Sequence, residues 1–148
     1  GTLYAGQCAI TRIAGLADHT KLKTLVLPGN QITDISALAG CTALETLDLS
    51  GNSISDISVV SGFKQLVDLN VSSNQIESLA GLEGNLAVNF IDADYNRIKS
   101  ISKLESCIML VRMNLWDDPV NADEVKPLQD IGILINYNPK YVEPETES

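Results

Sequence analysis

The sequence predicts an α/β repeat solenoid, a right-handed coil with a parallel sheet on its concave side and short 3₁₀ or irregular segments on its convex side. Three observations predict it. Asparagine recurs at one fixed interval, at Asn30, Asn52, Asn74 and Asn96. Apolar residues keep the same beat on both sides of each asparagine. After Val120 the beat stops and a differently patterned segment begins. Self-similarity at a fixed period is the signature of stacked supersecondary units.

Each unit opens with a strand. Leu22, Leu44, Leu66, Val88 and Leu110 begin successive units, Leu25, Leu47, Leu69, Ile91 and Met113 follow three residues later, and then come Leu27, Leu49, Val71, Ala93 and Leu115. Alternation through the last two positions is the mark of a strand with one buried face. Small or polar pairs then turn the chain (Pro28-Gly29, Ser50-Gly51, Ser72-Ser73) just before the asparagine. The return half carries Ile32, Ile35 and Leu38, Ile54, Ile57 and Val60, Ile76, Leu79 and Leu82, then Ile98, Ile101 and Leu104. Their spacing near three suits a short 3₁₀-like segment. Extended backward, the register places Leu3, Ala5, Cys8, Ile10, Ile13 and Leu16 in a partial first unit, so residues 1–120 read as that unit plus five more. One unit cannot bury its apolar edge alone, but a stack of them shares a continuous core. The asparagines read as a structural ladder, because an amide both donates and accepts and can satisfy buried backbone groups inside the turn.

The pattern LxxLxLxxNxI resembles the leucine-rich-repeat family, in the 22-residue class shared by bacterial internalins and a eukaryotic protein-phosphatase regulatory subunit. Asn30-Gln31-Ile32-Thr33-Asp34-Ile35 and Asn52-Ser53-Ile54-Ser55-Asp56-Ile57 are similar to internalin repeats in particular. The resemblance implies a leucine-rich-repeat solenoid acting as a protein-recognition scaffold, and it suggests a segment of a bacterial cell-surface or secreted protein.

At the C-terminal end Asp118 replaces the asparagine and Pro119 follows. Asn121-Ala122-Asp123-Glu124 reads as a helix start with acidic residues in its first turn, with Val125, Leu128 and Ile131 at helical spacing. Gly132 would end the helix and Ile133–Tyr137 reads as a last strand, so residues 121–139 form a capping unit. Residues 140–148 are acidic and contain proline, the composition of a tail or linker. The chain opens in the middle of a motif, which leads to the expectation of further sequence upstream and of an open first strand, available for edge-to-edge self-association.

Composition narrows the function. A net charge of −9 with ten Lys+Arg spread along the chain supplies no basic patch for nucleic acid or for an anionic membrane. No apolar run approaches the length of a membrane span, so no membrane insertion is expected. Cys8, Cys41 and Cys107 are too few and too widely spaced for a disulfide framework or a zinc site. Cys41 and Cys107 share a convex-ridge slot with His19, Phe63 and Asn85. In that slot His19 reads as a half-buried ridge residue, and Cys8 reads as a plug for the first place in the asparagine column. Asn70-Val71-Ser72 spells a glycosylation acceptor, but it lies on a strand. With no nucleophile–base arrangement, phosphate loop or metal-ligand motif in the sequence, no enzyme and no cofactor are expected.

The outward strand positions are where partner contact is expected. Early units carry small residues there. The units around residues 90 and 112 carry Phe90, Asp92, Asp94, Tyr95, Arg112, Asn114 and Trp116, which include three of the chain's seven aromatics. Interface anchors are enriched in Trp, Tyr and Arg, so this patch is the candidate partner site, on what the sequence places as the last two repeat strands. A second use of Trp116 and Tyr95, packing onto the cap to seal the core, fits the same residues. An acidic set of Asp48, Asp68, Asp92 and Asp94 on a flat face lacks converging carbonyl ligands, and reads as a solvated stripe rather than a calcium site. Besides a protein-binding scaffold, two other roles fit the repeat: a structural spacer or self-associating solenoid, and an intracellular, cytoplasmic scaffold of the phosphatase-regulator type, which three unpaired cysteines favour.

Overall fold

The computed structural model describes residues 1–145. The part of the expected tail at 146–148 lies outside them. Seven strands form one parallel sheet in sequence order, β1 (Thr2–Tyr4), β2 (Thr24–Val26), β3 (Thr46–Asp48), β4 (Asp68–Asn70), β5 (Phe90–Asp92), β6 (Arg112–Leu115) and β7 (Leu134–Tyr137). The register is translational: Leu25 pairs Leu47, Leu47 pairs Leu69, Leu69 pairs Ile91 and Ile91 pairs Met113. Short 3₁₀ segments return the chain at Ala14–Leu16, Ser36–Gly40, Ser58–Gly62, Leu82–Gly84 and Leu104–Ser106. This is a leucine-rich-repeat solenoid, as the spacing predicts. Each strand is only three or four residues long, so the stack, rather than any single unit, holds it.

The apolar columns form one core. Leu25, Leu47, Leu69 and Met113 are wholly buried, as are Ile32, Ile54, Ile76 and Ile98 on the return side. Each such side chain stabilises the fold by roughly 2 kcal/mol relative to exposure.

The asparagines tie successive turns together. Asn74 Nδ2 donates to the carbonyls of Leu49 (2.9 Å) and Val71 (3.0 Å), and its Oδ1 accepts the Ile54 N–H (3.0 Å). Asn52 and Asn96 repeat this with Leu27 and Leu49, and with Val71 and Ala93. Leu27, Leu49 and Val71 carbonyls therefore each take two amides, one from their own unit and one from the next. Both lone pairs of a buried carbonyl are thereby used.

A second bonded column runs along the ridge. Cys41 Sγ donates to Leu16 O (3.4 Å), Asn85 Nδ2 to Val60 O (3.0 Å) and Cys107 Sγ to Leu82 O (3.1 Å). In each case the partner lies 25 residues back, in the preceding unit.

Two expectations at the N-terminal end are corrected. His19 is exposed rather than half-buried, and Cys8 is exposed rather than a buried plug. The cause is shared: a slot residue is covered by the unit before it, and no unit of the described chain precedes the first. Cys8 still occupies the column, its N–H donating to Asn30 Oδ1 (3.0 Å) and its thiol to Gly6 O (3.1 Å). Leu3, Ala5, Ile10 and Leu16 are only partly buried for the same reason.

At the other end a helix, α1, spans Ala122–Asp130. Asn121 caps it by accepting the Asp123 N–H (3.0 Å). Pro127 lies in its second turn and forfeits a backbone hydrogen bond there. Burial of Val125 and Leu128 against the repeats offsets that loss. Glu124 fastens the helix to the last unit, accepting the Ile101 N–H (2.7 Å) and the Ser100 hydroxyl (3.1 Å). Ile131, expected on the buried helical face, is 62% exposed instead. It follows the last helical residue, and Gly132 at φ 102° then turns the chain toward β7.

Candidate protein-interaction surface

Parallel pairing in register turns sequence spacing into columns on the sheet. Thr24, Thr46, Asp68, Phe90 and Arg112 stand side by side, and so do Val26, Asp48, Asn70, Asp92 and Asn114. None of these outward residues is fully buried, whereas the residue between each pair is. The character of the face changes along the stack. From threonine and valine it passes to Asp48 and Asn70, whose Oδ1 atoms are engaged by the N–H and hydroxyl of Ser50 and Ser72. Asn70, the glycosylation-motif residue, is thus half-buried and already bonded.

Beyond Asn70 the face becomes aromatic and acidic. Phe90 is 37% exposed, with the Arg112 guanidinium over its ring at 5.3 Å from the centroid, a cation–π contact. Asp92 and Asn114 sit between this pair and the turn, paired with each other across β5 and β6. At the turn, Asp94 Oδ1 accepts the Trp116 N–H (2.6 Å) and the Tyr95 N–H donates to Trp116 O (2.7 Å). Trp116 remains 38% exposed and Tyr95 54%. The apolar interior at this end is closed by Met113, Leu115, Val125, Leu128 and Ile133. The seven residues thus lie along one strip of β5, β6 and their turns.

The sequence reading misses one neighbour. β7 pairs with β6 so that Leu134 stands beside Arg112 and Asn136 beside Asn114. The strip lies on β5 and β6, the last two repeat strands, and β7 of the cap adds Leu134, 65% exposed, which extends its apolar area. The spacing does hold the signal: Leu134 lies one repeat length after Arg112.

The backbone under Tyr95 adds a further feature. Gln7, Gly29, Gly51, Ser73, Tyr95 and Asp117 occupy equivalent turn positions and all have φ between 54° and 65°. The left-handed region suits glycine, and a residue with a β-carbon costs roughly 1–2 kcal/mol there. Gly29 and Gly51 avoid the cost, while a bulky aromatic at 95 bears it. Gln7, Ser73 and Asp117 bear the same cost, so the conformation belongs to the repeat turn, and Tyr95 is the position where it carries an exposed aromatic ring.

Electrostatically the strip is crowded with acid. Burial pushes the Asp68 carboxyl up, and Asp48 and Asp92 push it further, with Arg112 opposing. Asp94 is also pushed up, by burial first, with the Trp116 N–H opposing and Asp92 and Asp117 adding repulsion. Among the described residues no group of three or more His, Cys, Asp or Glu is placed to hold a metal ion. No helix among them is long and apolar enough to cross a membrane.

A family model for leucine-rich repeats in two copies matches residues 20–61 and 42–84. No curated protein matches at the level of sequence. Among solved structures, an internalin (inlF) from Listeria monocytogenes aligns with a TM-score of 0.79 and 27% identity, over 97% of this chain and 41% of that one. Internalin C2 from the same organism aligns with a TM-score of 0.75 and 28% identity, over 90% of this chain and 71% of that one. The leucine-rich-repeat ectodomain of the receptor kinase SOBIR1 from Arabidopsis thaliana shares the fold, with a TM-score of 0.67 and 19% identity over 91% of this chain and 72% of that one. The chain thus spans less than half the length of the first of these structures. Its repeat units stacked in register and its asparagine ladder make the chain a leucine-rich-repeat solenoid, with repeats of that family matched over residues 20–84 and a fold similar to that of the Listeria internalins.

Proposed function

We propose that this chain is a non-catalytic protein-binding scaffold that engages a basic partner with the strip Phe90, Asp92, Asp94, Tyr95, Arg112, Asn114 and Trp116. The observation that carries the reading is the gathering of three half-exposed aromatics among carboxylates that repel one another. Aromatic rings supply contact area at small entropic cost, and a cationic side chain from a partner would relieve the acid crowding. The face is modest in size. Seven strands at about 4.8 Å spacing offer less than the roughly 800 Å² per partner of a standard interface, so the contact is of moderate affinity or shared with flanking domains. The internalin likeness supports a cell-surface or secreted setting. In the same reading residues 1–120 are the repeats, 121–139 the cap and 140–148 a tail or linker.

The test is a displayed peptide and protein library selected against the folded chain, with a Phe90→Ala/Trp116→Ala double variant as counter-target. Binders specific to the strip should be rich in Lys and Arg, should weaken as salt rises, and should lose the double variant while its circular dichroism stays native. Binders that hold the double variant equally well would place recognition elsewhere.

One observation favours a second reading. Among the described residues β1 pairs with β2 alone, and Leu3, Ala5, Ile10 and Leu16 of the first unit are only partly buried. A self-associating solenoid would stack through that edge. Light scattering decides it: a concentration-independent monomer removes this reading.

A further inference from the structure

We propose that Asp118 is held in the folded protein as a neutral carboxylic acid that completes the asparagine ladder, and that its ionisation loosens the junction between the last repeat and the helical cap.

Asp118 stands one repeat length after Asn96 and is 1% exposed. Its Oδ1 does what the ladder amides do, accepting the Ile98 N–H at 3.0 Å just as Asn52, Asn74 and Asn96 accept from Ile32, Ile54 and Ile76. Its Oδ2 takes the place of the amide Nδ2. In the rungs above, that nitrogen donates to the carbonyl three residues back and to the one 25 residues back. The same offsets from 118 lead to Leu115 and Ala93. The Ala93 carbonyl has Asn96 as its amide donor, where Leu27, Leu49 and Val71 each have two. Asp118 Oδ2 is buried with no hydrogen-bond partner. A carboxylate oxygen buried beside carbonyl oxygens is desolvated and repelled, whereas a carboxylic acid brings the O–H donor that the rung lacks. An aspartic acid with its proton is nearly isosteric with asparagine, which is why the column continues through this position at all.

The charged groups that bear on Asp118 reinforce the neutral form. Asp94, from the turn of the preceding unit, and its own neighbour Asp117 are both carboxylates. Burial is the largest influence and pushes the group up to about 7, with backbone N–H groups of Ile98 and Asn96 opposing. Because the folded-state value is raised, the contribution to stability is complete below the ordinary aspartate range near 3.8. It is lost as pH climbs toward and through about 7. The loss falls where Asp118-Pro119-Val120 leads into α1, next to the Asn121 N–H bond to Lys99 O (2.9 Å). Trp116 is two residues upstream. The proposal concerns the ladder alone and stands whether or not the strip binds a partner.

Two measurements test it on the intact chain. The side-chain carboxyl ¹³C signal of Asp118 should titrate with a midpoint near 7. An Asp118→Asn variant, which carries a permanent donor, should melt several degrees above the parent at pH 8.5, with the gap narrowing steadily as pH falls from about 7 toward 4. Asp117→Asn, which leaves Oδ2 as it is, should not reproduce that gap. A carboxyl midpoint near 4, or a D118N gap that does not change with pH, would overturn the proposal.

Discussion

Asn74 is the rung where the ladder's worth is most directly measured. Substitution to alanine removes an amide that donates to Leu49 O and Val71 O and an oxygen that accepts from the Ile54 N–H, all of them buried. The two carbonyls keep one amide each, from Asn52 and Asn96, so each loses only a second partner. The Ile54 N–H loses its acceptor outright and lies too deep for water to replace it. Taking about 2 kcal/mol for the orphaned N–H and somewhat under 1 kcal/mol for each half-satisfied carbonyl, the cost is about 3–4 kcal/mol. That is a large share of the roughly 5–15 kcal/mol of a domain this size, and it corresponds to about 10 °C in melting temperature. Urea denaturation followed by circular dichroism reads it. Asn30→Ala is the internal comparison: its Oδ1 serves Cys8 and Ile10 at a part-buried end that solvent reaches, so it should cost about half as much. A loss below about 1 kcal/mol at Asn74, or equal losses at the two rungs, would show that the buried amides are not what secures the stack.

The strained turn at Tyr95 calls for a paired comparison. Tyr95→Gly and Tyr95→Ala remove the same ring, yet the glycine variant should be more stable by about 0.5–1 kcal/mol, because relief of the left-handed backbone exceeds the extra entropy of an unfolded glycine. Equal stabilities would mean that the turn relaxes around a β-carbon. The thiols give a cheaper check. Cys8 is exposed, whereas Cys41 and Cys107 are buried and their thiols are pushed up by desolvation, Cys107 to about 11. A thiol reagent at pH 8 should therefore consume one cysteine quickly and the other two only on unfolding, and Cys8→Ser should abolish the fast phase. More than one fast thiol in the folded protein would contradict the packing of the ridge.

Much of the candidate surface is legible in the spacing. The columns Asp68–Phe90–Arg112 and Asn70–Asp92–Asn114 follow from counting in whole repeat lengths, and the sheet pairs them as counted. The cap is legible too, since Asn121 marks the helix start and Val125 and Leu128 its buried face. Leu134 escapes as a neighbour of Arg112 because the apolar beat stops at Val120, although the sheet register continues past it. The strain at Tyr95 is invisible for a different reason: residue identity does not encode φ, and glycine at two of six equivalent turns is too weak a hint.

What the sequence determines by itself is everything that translation along the stack can carry. In a solenoid a residue's place in its unit settles which way it faces, so spacing alone determined the core columns, the ladder and the face on which the aromatic strip lies. What only the tertiary structure decided is everything that depends on the unit next door. His19 and Cys8 are exposed because nothing in the described chain stands before them, and Ile131 because the chain leaves the helix one residue too soon. Asp118 looks from its letter like a broken rung. Only its surroundings, an N–H on one oxygen and the place of a missing donor on the other, make it a rung that depends on a proton.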